Sequence, residues 1–331
     1  MKQGIYLYGV IQTNSQKEFG NIGIGENSDV RTVTFKDIAA VVSVSPLTVY
    51  DSLAKDKIVK DLVTHQFVIE KVMECCTIVP VKFGTMVETE EETIQFLEKG
   101  YGLLGEQLQK MEGKIELDVV ASWELPKILQ AIFHSNSQIQ KKQEEIARKG
   151  DKVGIEDKVT LGKLIEQALK TKKARYHQLI LQRLEKRTCD SCLHDVASEE
   201  MIFNAAFLLE KNHEEAFNRI ITLLDQELEN TVNFRVIGPL PLYSFSTIIF
   251  ERIDSHKIEE AKKIFGLNGD MTDKTVRDTY RELAQKYHPD KSSGEDSTTF
   301  HLIHSAYRTL KNFIENGLIH VEVYHWEKDF Q

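Results

Sequence analysis

Few stretches of this chain carry residue types that could do chemistry. Cys189 and Cys192 form a CxxC with His194 two positions on, three groups able to ligate zinc or, as the two thiols alone, to work as a redox pair. A structural zinc needs a fourth ligand, and none is spaced locally; haem attachment needs His directly after the second Cys, where Leu193 stands. These thiols are therefore expected to be incidental, with no metal and no cofactor. Cys75 and Cys76 are adjacent at the end of a helix-period stretch and read as core thiols. His65 falls on the apolar stripe of that same stretch, which suits a packed histidine. Glu88, Glu90, Glu91 and Glu92 precede another helical run, where acids complement the helix dipole. No nucleophile elbow, P-loop or HExxH is present, so an enzyme is not expected. The remaining polar group is His288-Pro289-Asp290-Lys291, followed by SSGEDS. Proline fixes the chain direction there, while a short carboxylate and an imidazole present one rigid epitope suited to recognition.

The totals set the class. With 331 residues, 41% hydrophobic and 28% charged, the chain suits two or three globular domains. A net charge of -9 argues against general nucleic-acid binding. The basic stretch from Lys141 through Arg187 has acids interleaved throughout and reads as a solvated, ion-paired helix. No segment is apolar for long enough to span a bilayer, and MKQGIYLYGVIQ lacks the features of an export signal, so no membrane partner and a cytoplasmic location are expected.

The elements that must position these residues follow from periodicity. Ile5 to Ile11, Val30 to Phe35 and Ile38 to Val44 read as strands, the last two as a hairpin across Lys36 and Asp37. Asp51 to Glu74 reads as a helix with Ile58, Leu62, His65, Ile69 and Val72 on one stripe. Ile78 to Val87 reads as a strand and Glu90 to Met111 as a helix. From Lys114 to Glu251 the order is strand, helix, strand, strand, helix, strand, the split βαβ arrangement of a ferredoxin-like lobe enlarged by a helical insertion over about 126–187. Its last strand, FRVIGPLPLYSFSTIIFE from Phe234 to Glu251, is interrupted by Pro239 and Pro241. An exposed edge or apolar patch there could capture an apolar partner segment, with Leu240, Leu242, Tyr243 and Phe245 as its candidates. The expected architecture is α+β. It comprises an irregular lobe over 1–113, a ferredoxin-like lobe over 114–254, an all-α hairpin over 257–313 and a tail over 314–331 that alternates like a strand.

IYLYGV near the start, IVPVKFGTMV at 78–87, MIFNAAFLLEK at 201–211 and FRVIGPLPLYSF at 234–245 occur in the order in which they resemble the GvpF and GvpL family of gas vesicle proteins. The resemblance covers residues 1–252. It implies a two-lobed α+β fold and an accessory role in building gas vesicles, with the very hydrophobic shell protein and other accessory vesicle proteins as partners. The candidates at 240–245 would then be contacts for the shell protein.

In the hairpin, Val276, Tyr280, Leu283 and Tyr287 make one stripe, and Phe300, Ile303, Tyr307 and Leu310 the matching one. Thr272 is the expected N-cap of the first helix. YRELAQKYHPDK followed by FHLIHSAYRTL resembles a J domain, the DnaJ module that stimulates ATP hydrolysis by DnaK-type chaperones. The resemblance implies a DnaK-type partner engaged by His288, Pro289 and Asp290, with Arg277, Arg281 and Lys286 as basic contacts. Gln285 and Glu282 dilute that basic face, and the Gly/Phe-rich linker and zinc repeats of DnaJ are absent. Two functions follow as expectations: an assembly factor that recruits the chaperone to a vesicle client, or a minor structural component of the vesicle whose J-like domain is an interaction handle.

Overall fold

The computed structural model describes residues 2–25, 28–48, 50, 55–228, 231–252, 255–267, 271–287 and 296–325. They divide into two compact units, Met1–Lys110 with Thr247–Tyr324, and Met111–Ser246 with His325–Gln331.

The first unit is built on β1 (Gln3–Gln12), whose run from Gly4 to Ile11 is buried throughout. Such a continuous apolar run suits a central strand covered on both faces. It pairs antiparallel with β4 (Ile38–Pro46) on one side and with the short β5 (Ile78–Pro80) and β6 (Met86–Val87) on the other. The strand β3 (Val30–Phe35) lies beyond β4, with β2 (Glu18–Gly20) at the edge. The hairpin between β3 and β4 turns at Lys36, where φ is 53°. The single strand expected over 78–87 is thus two short ones, broken at Gly84, where φ is +84° and a side chain would be strained. Helix α1 (Lys55–Met73) lays Asp61, His65, Val68, Ile69 and Val72 inward. Helix α2 (Glu90–Met111) opens with three acids, which stabilise the exposed amides of its first turn.

In the second unit, β7 (Lys114–Trp123) lies between β10 (Val232–Leu240) and β9 (Met201–Glu210), and β8 (Asp190–Leu193) is beyond β9. All neighbours are antiparallel. This order, with helices between the first and second and between the third and fourth strands in sequence, is the split βαβ arrangement. The first crossover holds α3 (Leu125–Ser135), α4 (Ser137–Lys149) and the 31-residue α5 (Ile155–Glu185); the second holds α6 (Glu214–Glu227). Alternation along β7 places Ile115, Leu117, Val119, Ala121 and Trp123 in one core with Ile128, Ile180, Phe203, Phe207 and Phe217. The opposite face of the same strand carries Glu116 and Asp118.

The segment expected to continue the last strand of this sheet does otherwise. Leu242 to Ser246 form a turn, and β11 (Thr247–Arg252) belongs to the first unit, where Lys82 donates its backbone N–H to Ile248 O at 2.9 Å. The partner of β11 is β12 (Ile319–Tyr324), paired antiparallel over six residues from Thr247↔Tyr324 to Arg252↔Ile319. Phe250 stands 4.7 Å, ring to ring, from Phe96 of α2. Within the tail, Ile319–Tyr324 is therefore a structural strand.

Three helices lie between these paired strands: α7 (Ser255–Phe265), α8 (Asp273–Lys286) and α9 (Asp296–Asn316). Thr272 caps α8, its hydroxyl accepting from the Thr275 N–H at 3.2 Å. Ile258, Ala261, Phe265, Val276, Ile303, Ala306 and Leu310 form one buried core, and Tyr280 stacks on Tyr307 at 4.2 Å. The helical module is thus fixed to the first unit at both of its ends.

Candidate functional site

His288, Pro289 and Asp290 lie outside the described residues. The helix leading to them is described. Val276 and the partly buried Tyr280, Leu283 and Tyr287 turn toward α7 and α9, which leaves Arg277, Arg281 and Lys286 exposed. Arg277 and Arg281 are four residues apart and share one flank of the buried stripe. Lys286 is nine residues from Arg277, about two and a half turns, and lies on the other flank. Neither arginine is an isolated charge. Arg277 pairs with Asp273 at 3.0 Å and Arg281 with Asp278 at 3.6 Å. Lys286 sits 5.2 Å from the centre of the Tyr287 ring. The helix therefore offers two separated basic flanks.

The four candidates at 240–245 do not form an exposed patch. Leu242 is 2% and Phe245 5% exposed, while Leu240 and Tyr243 are half-buried. Prolines at 239 and 241 let the chain turn inward here, so the apolar run packs as core. The turn is tied to β7 through Glu116, which accepts from the backbone N–H of Ser244 at 3.0 Å and from its hydroxyl at 2.8 Å. Burial pushes the Glu116 carboxyl up to about 8 against the lowering effect of those bonds.

Exposed apolar surface appears on α1, a site the sequence reading missed. Val59, Leu62, Val63 and Phe67 are 58%, 46%, 63% and 50% exposed. Val59, Val63 and Phe67, spaced by four, lie on the face opposite Asp61, His65, Val68 and Val72, while Leu62 lies at its border, two turns before the buried Ile69. Leu62 was placed with the buried stripe, but the inward turn at that level is filled by Asp61 and His65. A helix with apolar residues on both faces was the available signal; a helix serving one core alone has a single stripe.

Behind that helix is a polar aromatic cluster. The Tyr6 hydroxyl and His65 Nδ1 are 3.0 Å apart, Tyr8 bonds Ser43 Oγ at 2.8 Å, and His65 meets Phe83 edge to face at 5.5 Å. Burial lowers His65 to about 4, so it is a neutral packed histidine at pH 7. In the second unit, Cys192 is buried and its thiol is pushed up to about 11, first by burial and then by nearby carboxylates, while Cys189 is exposed. Among the described residues no group of three or more His, Cys, Asp or Glu side chains is arranged to hold a metal ion. Nor is any described helix long and apolar enough to cross a membrane.

An α+β chain whose second sheet has split βαβ order, with a three-helix hairpin module held between two paired strands, is the class defined by this geometry. The chain belongs to the gas vesicle synthesis protein GvpL/GvpF family, whose model matches residues 4–247. A DnaJ domain model matches residues 263–314, the region of the helical module. Gas vesicle protein F of Nostoc sp. (strain PCC 7120) is 25% identical over 259 residues, covering 75% of this chain and 100% of that protein. Gas vesicle protein F of Microcystis aeruginosa (strain PCC 7806) is 27% identical over 255 residues, covering 75% and 100%. Crystal structures of GvpF from Anabaena sp. PCC7120 and from Microcystis aeruginosa superpose with TM-scores of 0.61 and 0.56, at 24% and 25% identity. Each covers 73% of this chain, and 97% and 98% of those chains respectively.

Proposed function

We propose that this protein is a gas vesicle assembly factor that acts by binding. Its body holds the hydrophobic shell protein or other accessory vesicle proteins, and its J domain recruits a DnaK-type chaperone to that client. The observation that carries this reading is one chain in which a GvpL/GvpF body and a J module are joined through β11 and β12. Because the module is anchored by both ends, a chaperone docked on α8 would work at a fixed position relative to the first unit. That raises its local concentration at a client bound there without a long flexible tether. The exposed stripe of Val59, Leu62, Val63 and Phe67 is the surface in that unit suited to an apolar client, since such residues cost solvation when uncovered. The protein works in the cytoplasm, at the growing vesicle, and catalyses no reaction of its own.

The test is single-turnover ATP hydrolysis by a DnaK-type chaperone from the same host, with this protein and with its Asp290→Asn variant, each with and without shell protein. Stimulation by the unaltered protein, lost in the variant, is the expected result. No stimulation, with the helical module shown to be folded, would leave the alternative of a minor structural component carrying a silent J fold.

A further inference from the structure

Adjacent cysteines are usually dismissed as packing residues, and the sequence alone favours that reading for Cys75 and Cys76. The structure places them outside the core. Cys75 is exposed and Cys76 half-buried, in the turn that ends α1. Their sulfurs are 3.3 Å apart. Both backbone N–H groups donate to one carbonyl, Val72 O, at 3.1 and 3.0 Å, and Val72 is itself fully buried. These two hydrogen bonds to a fixed acceptor restrain the backbone of both residues. On the other side, the Lys17 ammonium is 3.3 Å from Cys76 Sγ. Lys17 is fixed in turn, its backbone N–H donating to Thr32 Oγ1 at 2.7 Å and its carbonyl accepting from the Thr32 N–H at 3.0 Å. Two thiols and a cation thus converge at the surface from separate, anchored segments.

We infer that Cys75 and Cys76 form a reversible two-electron redox site, oxidised by a peroxide to a disulfide between neighbours in sequence. Cys76, whose sulfur the ammonium contacts, is the attacking sulfur; partial desolvation and then its bond with Cys76 hold the Cys75 thiol above its ordinary value, which makes it the second partner. The Cys76 sulfur takes one oxygen of hydrogen peroxide, breaking the O–O bond and releasing water, and becomes a sulfenic acid. Cys75 then attacks that sulfur, the S–O bond breaks, and a second water leaves with the Cys75 proton. Two thiols and one peroxide give one disulfide and two waters. The sulfurs need to close from 3.3 Å to a bond of about 2.05 Å. Consecutive Cα atoms lie about 3.8 Å apart, short of the roughly 4.4–6.8 Å usual for a disulfide, so the bond should be strained and readily reversed by thiols.

Trypsin would release Val72–Lys82, which contains both residues and no other cysteine. The reduced native protein is exposed to hydrogen peroxide, quenched, alkylated and mapped by mass. The expected peptide is two hydrogen atoms lighter and free of alkyl groups, and a thiol reductant returns it to a doubly alkylated form. Closure in the native protein should outpace that in urea by about tenfold, because the fold holds the sulfurs together. A peptide that stays doubly alkylated, gains separate sulfinic or sulfonic acids, or is linked to another peptide would overturn the inference. So would equal rates in the native and unfolded chains. The Cys76→Ser variant, expected to form no light peptide, separates this closure from oxidation elsewhere.

Discussion

Ser244 binds both oxygens of Glu116 across 128 residues of sequence, through its backbone N–H to Oε2 at 3.0 Å and its hydroxyl to Oε1 at 2.8 Å. Glu116 as a whole is only 2% exposed, so this contact fixes the turn after β10 by burying an ionisable group.

A pH dependence follows from that burial. Glu116 titrates at about 8 in the fold and near 4.5 in an unfolded chain. Between those values the native state holds a proton that the unfolded state has lost. Its contribution is thus complete below pH 4.5 and declines as pH rises toward 8. Asp118 is raised in the same direction by burial. Glu116→Gln keeps an acceptor for the Ser244 N–H and removes the titration. From pH 5 to pH 9 the unaltered protein should lose on the order of 2 kcal/mol more stability than the variant, read from denaturation midpoints. Parallel losses would show that the carboxyl is ionised in the fold.

The first unit should respond on the acid side. His65 titrates at about 4 in the fold against 6.5 for the free side chain, because burial disfavours its charged form. The unfolded chain takes up a proton over that interval and the native chain does not, so stability falls as pH drops from 6.5 toward 4. Protection factors for hydrogen exchange in α1, which remove the intrinsic pH dependence of exchange, should fall over this window in the unaltered protein, and the slope should flatten in His65→Gln.

A stop codon at Leu318 tests the clamp formed by β11 and β12. Removing β12 strips six paired residues from β11 and uncovers the packing around Val321, which approaches the α2 backbone at Gly100. Loss of a few kcal/mol would lower the melting temperature of the first unit by about 5–10 °C. Trypsin should also cut after Arg252, the last residue of β11, sooner. A module that stays resistant would show that β12 is dispensable for its attachment.

Much of this was legible in the sequence because alternation and helical stripes are local. The hairpin of β3 and β4, helix α2, the succession of strands and helices from β7 to β10 and the Thr272 cap all follow from such patterns. What was hidden depends on partners far along the chain. Thr247 to Arg252 reads as a strand from either side, but that it pairs with Ile319 to Tyr324 rather than continuing β10 is a tertiary fact. Leu242 and Phe245 look like a sticky edge until the turn between them is seen to fold inward. The reverse error occurred on α1. There Leu62 has the spacing of a core residue, and the core at that point is supplied by Asp61 and His65.

That outer face of α1 provides the sharpest test of client capture. Val63 and Phe67 project from one side of the helix while Val68 and Ile69 are fully buried on the other, so charge can be added outside without disturbing the core. Lys60 and Glu70 already border the stripe, and nothing in its geometry resists another carboxylate. The double substitution Leu62→Glu with Phe67→Glu should change stability by less than about 1 kcal/mol, as exposed sites usually do. If the shell protein packs on this face, each lost side chain removes about 1–2 kcal/mol of apolar burial, and a carboxylate in its place adds a desolvation penalty. Binding of solubilised shell protein should therefore weaken by at least about a hundredfold, while chaperone stimulation without client stays unchanged. Retained binding by the folded variant would move the client surface off α1 while leaving the J module's role intact, since the two are read by separate measurements.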